Sequence, residues 1–171
     1  GKTAIELKNM GVILYLGEDY LKNLNEDIIY RTPGMRYFLP ELNKARARGA
    51  AVTSEMETFF DLCPCKIFAV TGSDGKTTTT TIISKMLEAA GKTVHLGGNI
   101  GTPLLPEIEN ISPDDAAVVE LSSFQLISMR RSPDVAVVTN ISPNHLDIHK
   151  DMDEYISAKK NKIGRASCRE R

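Results

Sequence analysis

Short apolar runs alternate with longer stretches of helical periodicity along this chain. The short runs are rich in β-branched and other apolar side chains, which favour strands at such lengths. The predicted strands cover residues 12–16, 27–30, 51–53, 66–70, 93–96, 116–121 and 135–139. The last three are apolar almost throughout, which is typical of parallel strands buried on both faces of a sheet.

The stretches between these strands carry helix signals. Pro40 suits a first helical turn and Gly49 suits a helix end. The predicted helices cover residues 40–48, 55–62, a segment after Thr77 that ends at Gly91, and residues 151–161. In the third of these, apolar side chains recur at spacings of one, three and four and predict one apolar face: Ile82, Ile83, Met86, Leu87 and Ala90. The alternation of strands and helices predicts an α/β fold.

Composition and charge exclude several classes of protein. The chain has 21 Lys and Arg against 22 Asp and Glu, a formal net charge of −1, so no excess of cations exists to bind nucleic acid. A hydrophobic content of 42% is too high for a disordered chain. No apolar run approaches the roughly 20 residues of a membrane-spanning helix. Three cysteines are too few for a disulfide framework, which favours a reducing cytoplasm.

The segment that carries chemistry is residues 71–77, TGSDGKT, between a predicted strand and a predicted helix. Glycines let backbone N–H groups wrap phosphates, and the helix directs its positive N-terminus at them. Lys76 would then reach the β- and γ-phosphates, and the Thr77 hydroxyl would face Mg²⁺. The first glycine of the full phosphate-loop pattern is replaced by Val70. The alternative is an ordinary glycine-rich turn with an incidental lysine.

Two further segments follow predicted strands and so lie at the same sheet edge. Glu120 ends one strand, where it could be a hard oxygen ligand for Mg²⁺ or simply a helix cap or surface charge. His145 and Asp147 follow the next strand, although a histidine in a loop is usually just solvated. Lys159 lies on the last predicted helix, where a lysine pair is most often an exposed face.

Cys63 and Cys65 have the spacing of half a metal site. Two cysteines without further partners give a weak signal, so buried or linker cysteines are the better interpretation.

Together these residues resemble the Mur ligase family, the ATP-dependent amide ligases of bacterial cell-wall synthesis. The family's phosphate loop has the short form seen at residues 71–78, which accounts for the missing glycine. Residues 32–34 (TPG), 97–101 (GGNIG) and 140–147 (NISPNHLD) resemble three further family loops. The most discriminating stretch is residues 120–126, ELSSFQL, which resembles members that add D-glutamate more than members that add other residues.

The resemblance implies a role for each matching residue. The residues implied in holding ATP are Gly72, Ser73, Asp74, Gly75, Lys76, Thr77 and Thr78. Those implied at Mg²⁺ are Thr77 and Glu120 for one ion, and His145 and a carbamylated Lys159 for a second, with Lys160 as the register alternative. The catalytic set is Lys76, Glu120, His145 and Lys159, and the residues implied in binding the UDP-sugar are Thr32, Pro33, Gly34, Asn99 and Ser122.

The resemblance also implies the reaction. The γ-phosphoryl group of ATP moves onto the carboxylate of UDP-N-acetylmuramoyl-L-alanine, and the amine of D-glutamate displaces phosphate from the acyl phosphate. ATP and Mg²⁺ are then the cofactors, these two small molecules are the partners, and we expect a cytoplasmic monomer that binds neither nucleic acid nor membrane.

The same resemblance implies an architecture that the chain covers only in part. We expect a truncated, Rossmann-like UDP-substrate domain at residues 1–63 and a truncated P-loop-type ATPase domain with a mostly parallel sheet at residues 64–161. The family's third domain would be missing, so we expect no turnover by this chain alone. Residues 162–171 carry four basic side chains, one acidic one and almost no apolar ones, and read as a non-native tail.

Three alternatives remain open. One is another Mur ligase or a folylpolyglutamate synthetase, against which the ELSSFQL stretch argues. A second is a P-loop NTPase that binds or switches without ligating. A third is a Rossmann oxidoreductase, disfavoured because Lys76 and Thr77 stand where a dinucleotide turn needs a small residue.

Overall fold

The computed structural model describes residues 2–142. The strands are β1 (Ile28–Tyr30), β2 (Ala51–Thr53), β3 (Lys66–Thr71), β4 (Val94–Gly98), β5 (Ala116–Glu120) and β6 (Val135–Val138). The helices are α1 (Lys2–Asn9), α2 (Pro40–Ala47), α3 (Glu55–Leu62), α4 (Lys76–Ala89) and α5 (Ser123–Leu126), with a 3₁₀ helix at Leu105–Asn110.

The strands form two sheets, and every strand pair in the described part of the chain is parallel. β1 pairs with β2, and the second sheet has the order β4-β5-β3-β6. Parallel neighbours need crossover connections, which the helices between them supply. The predicted α/β class with a mostly parallel sheet is confirmed.

The larger sheet is buried on both faces at its centre. All five residues of β5 are buried, as expected for a strand with neighbours on either side. Helix α3 packs onto this sheet, because Met56, Phe59 and Phe60 share a core with Ile67 of β3 and Val119 of β5. The side chain of Ser54 caps this helix by accepting from the Glu57 N–H. Sequence signals thus placed α3 correctly, and its apolar face fixes it against the sheet.

The predicted strand at residues 12–16 is wrong. This segment has no regular structure, and Val12, Ile13, Tyr15 and Leu16 are exposed. A β-strand exists only through hydrogen bonds to a neighbouring strand, and β1 pairs with β2 alone among the described residues. The apolar composition alone therefore does not make this segment a strand.

The predicted apolar face of α4 is largely wrong. Ile82 is 53% exposed and Met86 is 67% exposed, whereas Thr80 and Ser84 are buried. Small side chains let the helix approach β3 and β5 closely. Their hydroxyl groups remain satisfied within the helix, since Thr80 donates to the Lys76 carbonyl at 2.8 Å. The buried residues of this helix are therefore small hydroxyl side chains and not the predicted apolar ones.

The ends of α2 and α4 agree with their sequence signals. Gly49 and Gly91 adopt positive φ directly after α2 and α4, as expected for residues that end helices. No helix within residues 2–142 is both long and apolar enough to span a membrane. The helix predicted at residues 151–161 and the tail at 162–171 lie outside the described residues.

Candidate functional site

Four loops meet at one edge of the larger sheet because its strands are parallel. The register pairs Val70 and Gly98 with Glu120, and Thr71 with Val138. The segments that follow β3, β4, β5 and β6 therefore begin side by side. In open parallel sheets this carboxyl edge is where ligands bind.

The loop from β3 to α4 is shaped by two glycines. Gly72 has φ +147°, and a Cβ there would lie 1.9 Å from the Thr139 hydroxyl oxygen. Gly75 has φ +75°, with open space around the position of a Cβ. Side chains are thus excluded from the base of the loop, while its outer turn stays accessible to a ligand.

The segment after β6 holds the loop in place. The side-chain oxygen of Asn140 accepts hydrogen bonds from the N–H groups of Ser73 at 3.1 Å and Asp74 at 2.9 Å. The Thr139 hydroxyl donates to the Asp74 carbonyl at 2.6 Å, and the hydroxyl of Ser73 exchanges hydrogen bonds with the backbone of Ser142. The loop is preorganised by the neighbouring strand before any nucleotide binds.

Helix α4 leaves the start of its N-terminus available to an anion. Its N-cap residue is Gly75, and no side chain caps it. The first N–H groups of a helix have no partners within it, and they carry the positive end of the helix dipole. The Lys76 ammonium donates to the carbonyls of Gly72 at 3.0 Å and Ser73 at 2.8 Å, which keeps the cation within the loop. Thr78 is exposed in the same first turn. This geometry suits the phosphates of a nucleotide.

Glu120 is the buried acid of the site. Its side chain is 2% exposed, and its two carboxylate oxygens accept from the Thr77 hydroxyl at 2.8 Å and the Asn99 amide at 3.0 Å. Asn99 is itself held by its N–H, which donates to the Glu120 carbonyl at 2.8 Å. Gly98 permits this approach, because a Cβ there would lie 2.2 Å from that same carbonyl oxygen.

The donor set around Glu120 fits a magnesium ion. No ion pair neutralises this carboxylate among the described residues, and a buried charge without a counter-ion is costly. Carboxylate and hydroxyl oxygens are the hard ligands that Mg²⁺ prefers, and Mg²⁺ commonly takes one or two protein ligands together with substrate phosphates. The phosphate loop beside it fits the nucleotide that would supply those phosphates.

The residues expected at the UDP-sugar do not all lie together. Thr32 and Pro33 line a cavity of about 210 Å³, together with Ser54, Met56 and Gln125, and Gly34 follows in the same turn. Ser122 caps α5, where its hydroxyl accepts from the Gln125 N–H and donates to the Gln125 side chain. Asn99 lies at Glu120, away from this cavity's lining.

The remaining expected residues cannot be placed. His145, Asp147, Lys159 and Lys160 lie outside the described residues, so the second metal site stays a prediction. Residues 2–142 contain no cluster of three or more metal-binding side chains.

Sequence reasoning missed two residues at this edge. Arg31 directly precedes the TPG segment and Asn140 begins the NISPNHLD segment, but neither was singled out, although each makes several hydrogen bonds that shape a loop. The distant partners of Arg31 and Asn140 lie 93 and 67 residues away in sequence, so no local pattern could have indicated these contacts.

Among residues 2–142, the cysteine and histidine side chains are Cys63, Cys65 and His95, and they lie away from this edge. Cys63 and Cys65 are free and buried, with sulfur atoms 3.6 Å apart, so the burial expected of this pair is confirmed. Burial raises the pKa of the Cys65 thiol to about 12, which makes it a poor nucleophile. His95 pairs with Asp115 at 2.8 Å near the amino ends of β4 and β5, on the opposite edge from the phosphate loop.

Comparison with known proteins agrees with this geometry. The Mur ligase middle domain matches residues 70–166, which include the phosphate loop, Asn99 and Glu120. The chain belongs to the Mur ligase family. Its relatives include the UDP-N-acetylmuramoylalanine–D-glutamate ligases of Acetivibrio thermocellus, 62% identical over 93% of this chain, and Clostridium kluyveri, 60% identical over 94% of it.

This Mur ligase chain spans about a third of the length of those relatives, 34% and 35% respectively. Among solved structures, it is similar to the UDP-N-acetylmuramate–alanine ligase of Thermotoga maritima, with a TM-score of 0.51 and 24% identity. That match covers 96% of this chain and 39% of the solved one. The likeness supports the α/β fold with its parallel sheet.

Proposed function

We propose that the protein containing this sequence is an ATP-dependent amide ligase that joins D-glutamate to UDP-N-acetylmuramoyl-L-alanine during peptidoglycan precursor synthesis. The observation that carries this proposal is the buried Glu120 carboxylate, bonded to Thr77 at the first turn of the phosphate-loop helix. The choice of D-glutamate rests on relatives that are named for that substrate and are 60–62% identical to this chain.

The chemical problem is the substrate carboxylate, whose leaving group would be oxide. Transfer of the γ-phosphoryl group to this carboxylate forms a P–O bond and releases ADP, giving an acyl phosphate. The D-glutamate amine attacks the acyl carbon, loses a proton, and expels inorganic phosphate through a tetrahedral intermediate. Because the phosphoryl group carries several negative charges throughout, the protein's task is to position groups and neutralise charge.

The residues of the carboxyl edge divide this task. The uncapped N-terminus of α4 would hold the phosphates, and the Lys76 ammonium would offset their charge. Thr77 and Glu120 would hold Mg²⁺, which supplies further neutralisation of the transferring phosphoryl group when bound. Asn99 fixes the rotamer of Glu120, since its amide donates to one of the two carboxylate oxygens.

Several parts of the proposal concern residues beyond this edge. We propose that residues 1–63 belong to the UDP-substrate domain and residues 64–161 to the ATPase domain. His145 and Lys159 would serve a second Mg²⁺, and Thr32 to Gly34 with Asn99 and Ser122 would serve the UDP-sugar. We also propose a cytoplasmic, monomeric enzyme, and the free thiols of Cys63 and Cys65 support a reducing compartment.

Product analysis of the full-length protein tests this function. It is incubated with ATP, Mg²⁺, UDP-N-acetylmuramoyl-L-alanine and isotopically labelled D-glutamate, and the nucleotide-sugar product is analysed by mass spectrometry. We expect label in the UDP-sugar only when ATP is present, and none when L-glutamate, L-lysine or L-alanine replaces D-glutamate. Incorporation of another amino acid in preference to D-glutamate would assign the protein to a different branch of the family.

A further inference from the structure

The Arg31 side chain is buried inside the protein. It follows β1 directly and is only 3% exposed. One terminal nitrogen, Nη1, donates to three backbone carbonyls of the following turn: Thr32 at 3.1 Å, Pro33 at 3.2 Å and Met35 at 2.6 Å. A single guanidinium nitrogen thus gathers the carbonyls of the turn that lines the 210 Å³ cavity.

The other terminal nitrogen of Arg31 reaches a different part of the chain. Nη2 donates to the Phe124 carbonyl at 2.9 Å and the Ser128 hydroxyl at 3.3 Å. Phe124 belongs to α5, which begins three residues after Glu120. The planar guanidinium therefore joins the Thr32–Met35 turn to α5, the helix that follows Glu120 in the chain.

An acid in the same network partly offsets the effect of burial on Arg31. Glu57 on α3 attracts the guanidinium and raises its pKa, although burial has the larger effect and lowers it. Glu57 is itself buried and accepts hydrogen bonds from Ser54 and Ser128. Arg31, Ser128 and Glu57 therefore form a connected polar network among α3, α5 and the turn. Buried networks of this kind specify one arrangement of the elements they join.

We propose that Arg31 is a positioning residue that fixes the substrate turn at residues 32–35 relative to the strand end carrying Glu120. Resting on the proposed function, this assigns Arg31 the role of aligning the UDP-sugar carboxylate with the phosphoryl group to be transferred. Arg31 also lines the cavity, but its two terminal nitrogens are occupied by protein acceptors, so it acts through the turn and α5. An error of about 1 Å between reacting groups can cost a factor of about 100 in rate, so such alignment matters.

Lysine is the informative replacement for this residue. It keeps the positive charge that Glu57 faces but has one compact ammonium group in place of a planar fork. It can bond the turn or α5, but it cannot span both with the same geometry. Ser128→Ala is a milder second variant, because it removes one acceptor on the α5 side and leaves the turn bonds intact.

Arg131 offers a matched control. Its Nη1 also donates to two distant backbone carbonyls, those of Phe60 at 2.5 Å and Asp61 at 3.1 Å. Arg131 has no hydrogen bond to the turn at residues 32–35 among those of the described residues. Arg131→Lys therefore reproduces the loss of a bridging guanidinium without touching the substrate turn.

The experiment measures steady-state kinetics and substrate binding in the full-length protein. For Arg31→Lys we expect KM for UDP-N-acetylmuramoyl-L-alanine to rise about tenfold and kcat to fall, with the Kd for ATP changed less than twofold. Ser128→Ala should shift the same constants in the same direction by a smaller factor. Arg131→Lys should leave the ratio of KM for UDP-N-acetylmuramoyl-L-alanine to Kd for ATP unchanged, even if it lowers the thermal stability.

The outcomes separate this inference from the proposed function. If the wild-type protein neither binds the UDP-sugar nor incorporates D-glutamate, the proposed function is wrong and the inference with it. If the wild type is active but Arg31→Lys and Ser128→Ala leave KM for the UDP-sugar unchanged, only the positioning role is wrong. A parallel loss of ATP and UDP-sugar affinity in Arg31→Lys, matched by Arg131→Lys, would also overturn it, because it indicates a purely structural role.

Discussion

The Thr77 hydroxyl donates a 2.8 Å hydrogen bond to the carboxylate of Glu120, 43 residues further along the chain. Thr77 lies in the first turn of α4, and Glu120 ends β5. Their contact brings a hydroxyl and a buried carboxylate together beside an uncapped helix N-terminus. This hydrogen bond links the phosphate-loop helix to the acid of the site.

Glu120→Gln tests the role of the carboxylate charge. We expect ligation by the full-length protein to fall about 100-fold or more, as for the loss of one group that stabilises charge in a transition state. Thermal stability should stay equal or rise, since the variant removes a buried charge but keeps an amide that can bond both Thr77 and Asn99. Activity and the melting temperature are measured on the same preparations.

Glu107→Gln is the control for this variant, because Glu107 also accepts a hydrogen bond, from Asn110, but is exposed and lies away from the site. It should leave both quantities unchanged. Activity of Glu120→Gln close to that of the wild type would remove Glu120 from the mechanism.

Gly72→Ala tests the close approach at the base of the phosphate loop. Its Cβ would collide with the Thr139 hydroxyl at 1.9 Å, so the loop must shift. Gly91→Ala is the control, because Gly91 also has positive φ but open space around it. Both variants incur backbone strain of about 1–3 kcal/mol, whereas only Gly72→Ala should also weaken ATP binding.

A second substitution sharpens this prediction. Thr139→Ala removes the nearest clashing atom, so the double variant Gly72→Ala/Thr139→Ala should recover part of the ATP affinity lost by Gly72→Ala. Equal ATP affinity in Gly72→Ala and Gly91→Ala, measured by calorimetry, would contradict the steric explanation.

Asn140→Ala tests preorganisation of the loop from the neighbouring strand. The variant leaves the Asp74 N–H without its side-chain acceptor, while the Ser73 N–H keeps the Asn140 backbone carbonyl at 3.0 Å. We expect the Kd for ATP to rise about tenfold, which corresponds to about 1.4 kcal/mol. Asn110→Ala removes an exposed asparagine far from the loop and should change nothing. An unchanged Kd in Asn140→Ala would mean that the loop forms without this clamp.

Asp115 gives a prediction about pH. The hydrogen bond from His95 lowers the pKa of the Asp115 carboxyl below its ordinary value of 3.8. The folded state therefore favours the charged form, so Asp115 stabilises the protein above about pH 3.8, and this contribution is lost as the pH falls through the lowered pKa. As the pH falls below about 3.8, the melting temperature of the wild type should decrease more steeply than that of Asp115→Asn. Asp114→Asn, at an exposed neighbouring carboxylate, should follow the wild type.

Local chemistry explains what the sequence could predict. The phosphate loop, its helix and the buried strand β5 were all expected, since glycine, lysine and threonine at fixed spacing and a continuous apolar run are signals contained within a few residues. The candidate metal acid Glu120 was likewise found from its place at a strand end. Thr77 was expected at the same ion, which stays a prediction; the structure places its hydroxyl 2.8 Å from the Glu120 carboxylate.

Long-range packing explains what the sequence could not predict. Residues 12–16 carry strand composition, but a strand also needs a neighbour to pair with. The buried residues of α4 are Thr80 and Ser84 and not the predicted apolar ones. Arg31 and Asn140 act on partners in distant segments, so their roles emerge only when β1, β6 and the loops are brought together.

The most direct test of the central claim measures inorganic phosphate released by the full-length protein with ATP and Mg²⁺. The four conditions are no further substrate, UDP-N-acetylmuramoyl-L-alanine alone, D-glutamate alone, and both together. We expect sustained release only with both substrates, one phosphate for each amide formed, and no release by Lys76→Ala. Phosphate release at the same rate in all four conditions would contradict the ligase and would instead identify an NTPase that uses the same phosphate loop.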